Sequence, residues 1–170
     1  MKKLFIYVLL FISVFSLTGC GKEEKDPNAP ANLREVVGDI VKAKLDKNGN
    51  IVIDEKSITS TVTNISYEVD GVTIGLIAVR DSNGDVKVVV NTCQSCGGSP
   101  YAYFVQVGDK IQCQNCGNYF AIDELDSLEE DGCNPIAVRE RIDEDGVIKI
   151  GVEQLKELKD TFANWKGPKV

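Results

Sequence analysis

Two Cys-x-x-Cys-Gly segments, Cys93-Gln94-Ser95-Cys96-Gly97 and Cys113-Gln114-Asn115-Cys116-Gly117, stand with 16 residues between them in a chain that contains no histidine. A thiolate can act as a nucleophile, a redox partner or a soft metal ligand. Four cysteines arriving as two such pairs are the usual donor set of a tetrahedral metal site. Without histidine, carboxylates are the only other anionic donors. Dithiol redox chemistry needs one such pair at a helix start after a strand, and neither pair here opens a clear helix. Disulfide staples are the remaining alternative. A c-type haem is excluded, because glycine occupies the place of the required histidine. Cys93, Cys96, Cys113 and Cys116 are therefore the expected metal ligands. Tetrahedral sulfur suits zinc and iron alike; spacing alone favours a structural zinc.

Cysteine usage outside these pairs is informative. Cys20 follows a signal-like start: Met1-Lys2-Lys3, an almost wholly apolar run from Leu4 to Leu17, then Leu17-Thr18-Gly19-Cys20. The run is short for a transmembrane helix, which needs about 20 residues. Charge, apolar core and small residues read as a secretory signal, and the last four residues look like a bacterial lipobox. Residues 1–19 are then a lipoprotein signal peptide, and Cys20 carries the acyl chains, a diacylglyceryl group with palmitate-type tails. The protein is expected on the extracytoplasmic face of the cell membrane, held by lipid. Five cysteines remain, an odd number that cannot pair completely into disulfides. Cys133 reads either as a small buried hydrophobe or as an additional ligand or thiol beside the metal.

Composition narrows the partners. Removing residues 1–19 leaves 17 Lys and Arg against 26 Asp and Glu, a formal charge of −9. Such a surface disfavours nucleic acid and anionic lipid, so the acyl chains are expected to do the membrane work. No Ser-His-Asp set, paired carboxylates or phosphate loop is visible, and the usual general base is missing. A redox carrier or binding module is expected rather than an enzyme.

The elements that position the cysteines are mostly strands. Residues 20–32 are polar, hold two prolines and read as a flexible tether. Residues 33–166 read as one domain. Apolar residues at 33, 36, 37, 40, 41 and 45 suggest a short amphipathic helix. The middle reads as a β-meander: Thr61 to Val69, the Asp70-Gly71 turn, Val72 to Val79, the Ser82–Asp85 turn, and Val86 to Val90. Further strands are expected over 101–107, 110–112, 136–138 and 147–150. The knuckles become tips of adjacent hairpins, as in zinc ribbons and rubredoxins. Glycine after each second cysteine suits a tight turn whose amides point at sulfur. Val152, Leu155, Leu158, Phe162 and Trp165 predict a helix over 152–165 that closes the core. Tyr101, Tyr103, Phe104, Tyr119 and Phe120 are expected as core and lid around the site, and the acidic run 123–131 as a solvated loop. The fold class is mainly β, a meander with cysteine knuckles and a C-terminal helix (α+β).

The order Cys-x-x-Cys, Cys-x-x-Cys, Gly132-Cys133-Asn134-Pro135 is more specific than either pair alone. Together with Gly108-Asp109-Lys110-Ile111-Gln112, it makes the stretch from Thr73 to Val138 resemble the FtrD-like membrane iron–sulfur domain family. The resemblance implies an iron or iron–sulfur centre on Cys93, Cys96, Cys113 and Cys116, with Cys133 as the fifth family cysteine. It also implies electron transfer or iron handling for a membrane protein partner, as in ferrous-iron uptake systems. Family members often carry several transmembrane helices before this domain, whereas a lipobox stands there in this chain. A binding module with a structural zinc held by the four cysteines is the alternative.

Overall fold

The computed structural model describes residues 27–127 and 132–170. The signal peptide, Cys20 and the first part of the expected tether lie outside the described residues, as do Glu129, Glu130 and Asp131 of the acidic run. Twelve strands follow in chain order: β1 Ile40–Lys42, β2 Lys44–Leu45, β3 Ile51–Asp54, β4 Thr63–Val69, β5 Val72–Arg80, β6 Val86–Cys93, β7 Phe104–Val107, β8 Lys110–Cys113, β9 Tyr119–Ala121, β10 Pro135–Ala137, β11 Arg141–Glu144 and β12 Val147–Ile150. One short helix, α1 (Glu153–Glu157), follows. The protein is mainly β, as its alternation and turn residues predict.

The strands form three sheets. The largest has the order β1-β4-β5-β6-β10, a second has β11-β12-β3-β2, and the third has β7-β8-β9. Two tight hairpins set the register. Asp70 and Gly71 both take positive φ, and Val69 pairs with Val72 across them. Asp145 and Gly146 do the same between Glu144 and Val147. A two-residue loop with both residues left-handed matches the twist of its strands, and Asp-Gly meets that requirement at little cost.

The central strands β5 and β6 are buried on both faces, which accounts for their nearly unbroken apolar sequence. Ile74, Leu76, Val88 and Val90 turn to a first core, shared with Ile51, Ile53, Ile148 and Ile150 of the second sheet and with Leu155, Phe162 and Trp165. Ile77, Val79 and Val89 turn to a second core with Phe104, Ile111, Ile122 and Leu125. Cys93 and Cys113 belong to this second core, both 0% exposed. The large sheet, whose strand β6 ends in Cys93, is thus the wall against which the small sheet carrying Cys113 is packed.

Two helix expectations fail. Residues 33–45 form no helix: the segment is extended and contributes β1 and β2. Gly38 takes φ +86, and any Cβ there would strike the Val62 carbonyl, so the chain turns at this point rather than coils. The strand β1 pairs in parallel with β4, and backbone pairing overrides the helical periodicity. At the other end, residues 152–165 are not one helix but α1 followed by a 3-10 turn, Asp160–Phe162. The residues expected to close the core still do so: Leu155, Phe162 and Trp165 are buried.

The acidic segment is tied down where it is described. Asp123 accepts from the backbone N–H and the hydroxyl of Ser82, and Asp126 pairs with Lys87 at 2.7 Å. Lys87 also faces the buried Asp81 carboxylate at 3.5 Å. Asp123, Glu124 and Asp126 are exposed, as expected of a solvated loop, but the segment is also clasped to Ser82 and Lys87.

Trp165 is the only tryptophan, and its ring fills the space above Gly75, where an added Cβ would overlap two ring carbons. Replacing Gly75 by Ala should destabilise the fold by about 1–3 kcal/mol, as overpacking does. Chemical denaturation followed by the single-tryptophan emission checks this, with a red-shifted native spectrum expected from a displaced ring.

Candidate metal centre

Each pair begins at the last residue of a strand, Cys93 at the end of β6 and Cys113 at the end of β8. The second pair occupies the tip of the β8–β9 hairpin, as expected. The first does not occupy a hairpin tip. It opens the crossing from the large sheet to the small one, because β6 and β7 lie in different sheets. The two turns nevertheless meet. The Sγ atoms of Cys93, Cys96, Cys113 and Cys116 all lie within 4.8 Å of one another, and no described cysteine is in a disulfide. Disulfide staples are thereby set aside.

Local geometry holds the sulfurs. Backbone N–H groups of Asn115 and Cys116 point at the sulfur of Cys113, that of Cys96 at Cys93, and that of Asn118 at Cys116. Amides directed at sulfur stabilise thiolate charge. The left-handed residue of the second turn is Gly117 (φ +80). In the first turn it is Gly98 (φ +86), one residue later than expected. Gly97 is needed for a different reason: a Cβ there would lie 2.8 Å from the Thr161 methyl group.

Three distant segments brace the turns. Gly98 N–H donates to the Thr161 carbonyl at 3.0 Å, so the C-terminal turn rests on the first pair. The 132–134 loop lies along its other side: Ser95 donates through N–H and hydroxyl to the Gly132 carbonyl, and Gln94 N–H donates to the Asn134 carbonyl. The second pair is strapped by the N-terminal arm. Gln114 Oε1 accepts from Arg34 N–H at 2.7 Å, Gln112 Oε1 accepts from Arg34 Nε at 2.6 Å, and Arg34 Nη2 donates to the Tyr119 hydroxyl at 3.2 Å. Ser99 donates to Asn115 Oδ1 at 2.6 Å and joins the two turns directly. Arg34, Ser99 and Thr161 carried no signal in the sequence. The only hint was glutamine at 112 and 114, polar residues beside a core strand; both are buried.

Cys133 packs at the edge of the second core, half-buried. Its carbonyl lies 3.1 Å from the Cys93 thiol, as a second acceptor for that proton, while its sulfur is not among the four that converge. Of the expected aromatic lid, Phe104 and Phe120 meet edge to face at 5.8 Å beside Cys93 and Cys113. Tyr101 and Tyr103 belong to the first core, and Tyr119 is exposed.

Four thiols this close share protons unevenly. Cys113 is pulled down to about 5, first by the hydrogen bond from Cys93, against the cost of burial, and then by the amides of Cys116 and Asn115. Cys93 is pushed up by donating to Cys113 and by burial. Cys116, although exposed as a residue, is pushed up to about 12 by partial desolvation and by the Cys113 thiolate. At neutral pH, and with no ion bound, Cys113 therefore carries the charge while Cys93 and Cys116 keep their protons. A set of four thiolates suits one tetrahedral ion: metal–sulfur bonds of about 2.3 Å give sulfur–sulfur edges of about 3.8 Å. A cluster of two or four irons would spread its cysteines over different irons, a wider arrangement than four ligands on one ion.

These features define a mainly β protein with a four-cysteine, sulfur-only site. A sequence profile described as "Membrane iron-sulfur containing protein FtrD-like" matches residues 58–162. The chain belongs to this FtrD-like family. The family description and the four-cysteine group together support metal or iron–sulfur binding. The family is described as a membrane one; among the described residues no helix is long and apolar enough to cross a membrane. No curated protein matches the chain. Among solved structures, the quaternary ammonium Rieske monooxygenase CntA, in complex with an inhibitor, is 15% identical over 54% of this chain and 27% of its own, with a TM-score of 0.34. A likeness that small carries no argument.

Metal uptake should release at least two protons per ion at pH 7, those of Cys93 and Cys116. Because protons compete with metal for sulfur, affinity should rise with pH through the neutral range. Titration calorimetry in buffers of different ionisation enthalpy measures the release.

Proposed function

We propose that the protein is a lipid-anchored, extracytoplasmic electron carrier in which Cys93, Cys96, Cys113 and Cys116 hold one iron ion. The observation that carries this reading is the asymmetric burial of a tight sulfur cage. Cys93 and Cys113 are wholly buried, Cys96 is intermediate and Cys116 is exposed. When bound, iron in such a site supplies one-electron chemistry, with a potential set by burial and amide hydrogen bonds to sulfur. The chain's own part is to fix the four sulfurs, exclude water on the Cys93 and Cys113 side, and leave the Cys116 edge open to a redox partner in the membrane. Rigid bracing supports this, since a donor set that moves little needs little rearrangement when its charge changes.

Anaerobically purified protein should hold one iron per chain, show thiolate-to-iron absorption that bleaches reversibly on adding one electron, and contain no acid-labile sulfide. A colourless chain with one zinc would leave only a structural role, and acid-labile sulfide would replace the single ion with a cluster. Cys113→Ser should remove metal and colour. Replacing Cys20 by Ser should abolish palmitate labelling and release the protein from the membrane fraction, since two or more acyl chains are what give stable anchoring.

A further inference from the structure

The arm over residues 33–45 leaves an unusual amount of apolar surface in water. Leu33, Val36, Val37, Ile40, Val41 and Leu45 are each 37–50% exposed. The strand β1 is the open edge of the large sheet and β2 the open edge of the second. Exposed apolar edge strands are a liability that soluble proteins normally blunt. Ile40 and Val41 point to opposite faces of their strand and both are open, so the arm projects as a rim.

Two observations identify what covers it. The first is charge. Residues 27–50 carry four Lys and Arg against three Asp and Glu, whereas residues 51–170 carry eleven against twenty. Lys42, Lys44 and Lys47, which flank the rim, form no ion pair with any described residue. An apolar rim with uncommitted ammonium groups, on an otherwise acidic protein, matches an anionic lipid surface. The second is where the remaining chain leaves. Pro27 stands only seven positions after Cys20, a reach of about 25 Å at full extension. With Cys20 acylated, Pro27 stays within that reach of the headgroups, and the rim begins six residues later.

We propose that residues 33–45 form a lipid-contacting rim that lies at the headgroup level of an anionic bilayer. This rests on the lipid-anchor reading above and adds a second contact to the acyl chains expected to do the membrane work. It also orients the metal centre. Arg34, at the start of the rim, straps Gln112, Gln114 and Tyr119, so seating the rim turns the second cysteine pair toward the bilayer.

Hydrogen exchange read by mass spectrometry on the full lipidated chain tests this, in phosphatidylglycerol-containing vesicles, in phosphatidylcholine vesicles and in detergent. Amides 36–45 should exchange at least tenfold more slowly in the anionic vesicles than in detergent, and the difference should shrink at high salt. The double variant Val37→Glu, Val41→Glu should lose that protection while keeping its metal content. Protein that floats with anionic vesicles but shows no slowing overturns the rim and leaves the anchor standing. Slowing seen only in native membranes, not in pure lipid, overturns lipid as the occupant in favour of a protein. Protein that does not float with any vesicle overturns the anchor and the rim together.

Discussion

Four sulfur atoms within 4.8 Å of one another form an electrostatic problem that the rest of the structure has to contain. Two unit charges about 4 Å apart repel by about 4 kcal/mol even at an effective dielectric constant of 20. Four thiolates cannot share that space without either protons or a cation. Protons are one answer, held on Cys93 and Cys116 around an ionised Cys113. A single divalent or trivalent ion answers more fully, because it attracts all four at once. Holding like groups together before any ion arrives requires a scaffold stiff enough to resist their separation.

That stiffness comes from outside the two turns. Each turn begins where a strand ends, so Cys93 inherits the rigidity of the doubly buried β6 and Cys113 that of β8. Three segments far away in sequence then close around them: the arm through Arg34, the 132–134 loop through backbone carbonyls, and the C-terminal turn through Thr161. Most of these contacts use a neutral backbone donor or acceptor. They hold position without adding charge beside the thiolates, and Arg34 places its cation on glutamine and tyrosine oxygens instead.

The meander was legible because its information is local. Asp-Gly dipeptides between β-branched runs specify two-residue hairpins whatever surrounds them, and a strand buried on both faces shows as an unbroken apolar run. The arm and the C-terminal segment were not legible, for the opposite reason. Residues 33–45 have helical periodicity, yet their backbone finds partners in β4 and β3, and pairing across the fold outweighs a weak local preference. Strand β11 was not legible because it is short and mostly exposed, so no alternating apolar pattern marks it. Gly97 was assigned to the wrong cause, since the residue that crowds it, Thr161, comes from far along the chain.

The sequence by itself determined the donor chemistry. A chain without histidine, carrying two Cys-x-x-Cys-Gly pairs and Gly-Cys-Asn-Pro, specifies a sulfur site and its family, because residue type and short-range spacing are covalent facts. The convergence of the two pairs was already expected from their spacing; tertiary structure alone decided which of the four cysteines stays exposed and that the sulfur of Cys133 stands outside the group. Those outcomes depend on the packing of one sheet against another and on hydrogen bonds between segments as much as 85 residues apart, and nothing in local spacing encodes them.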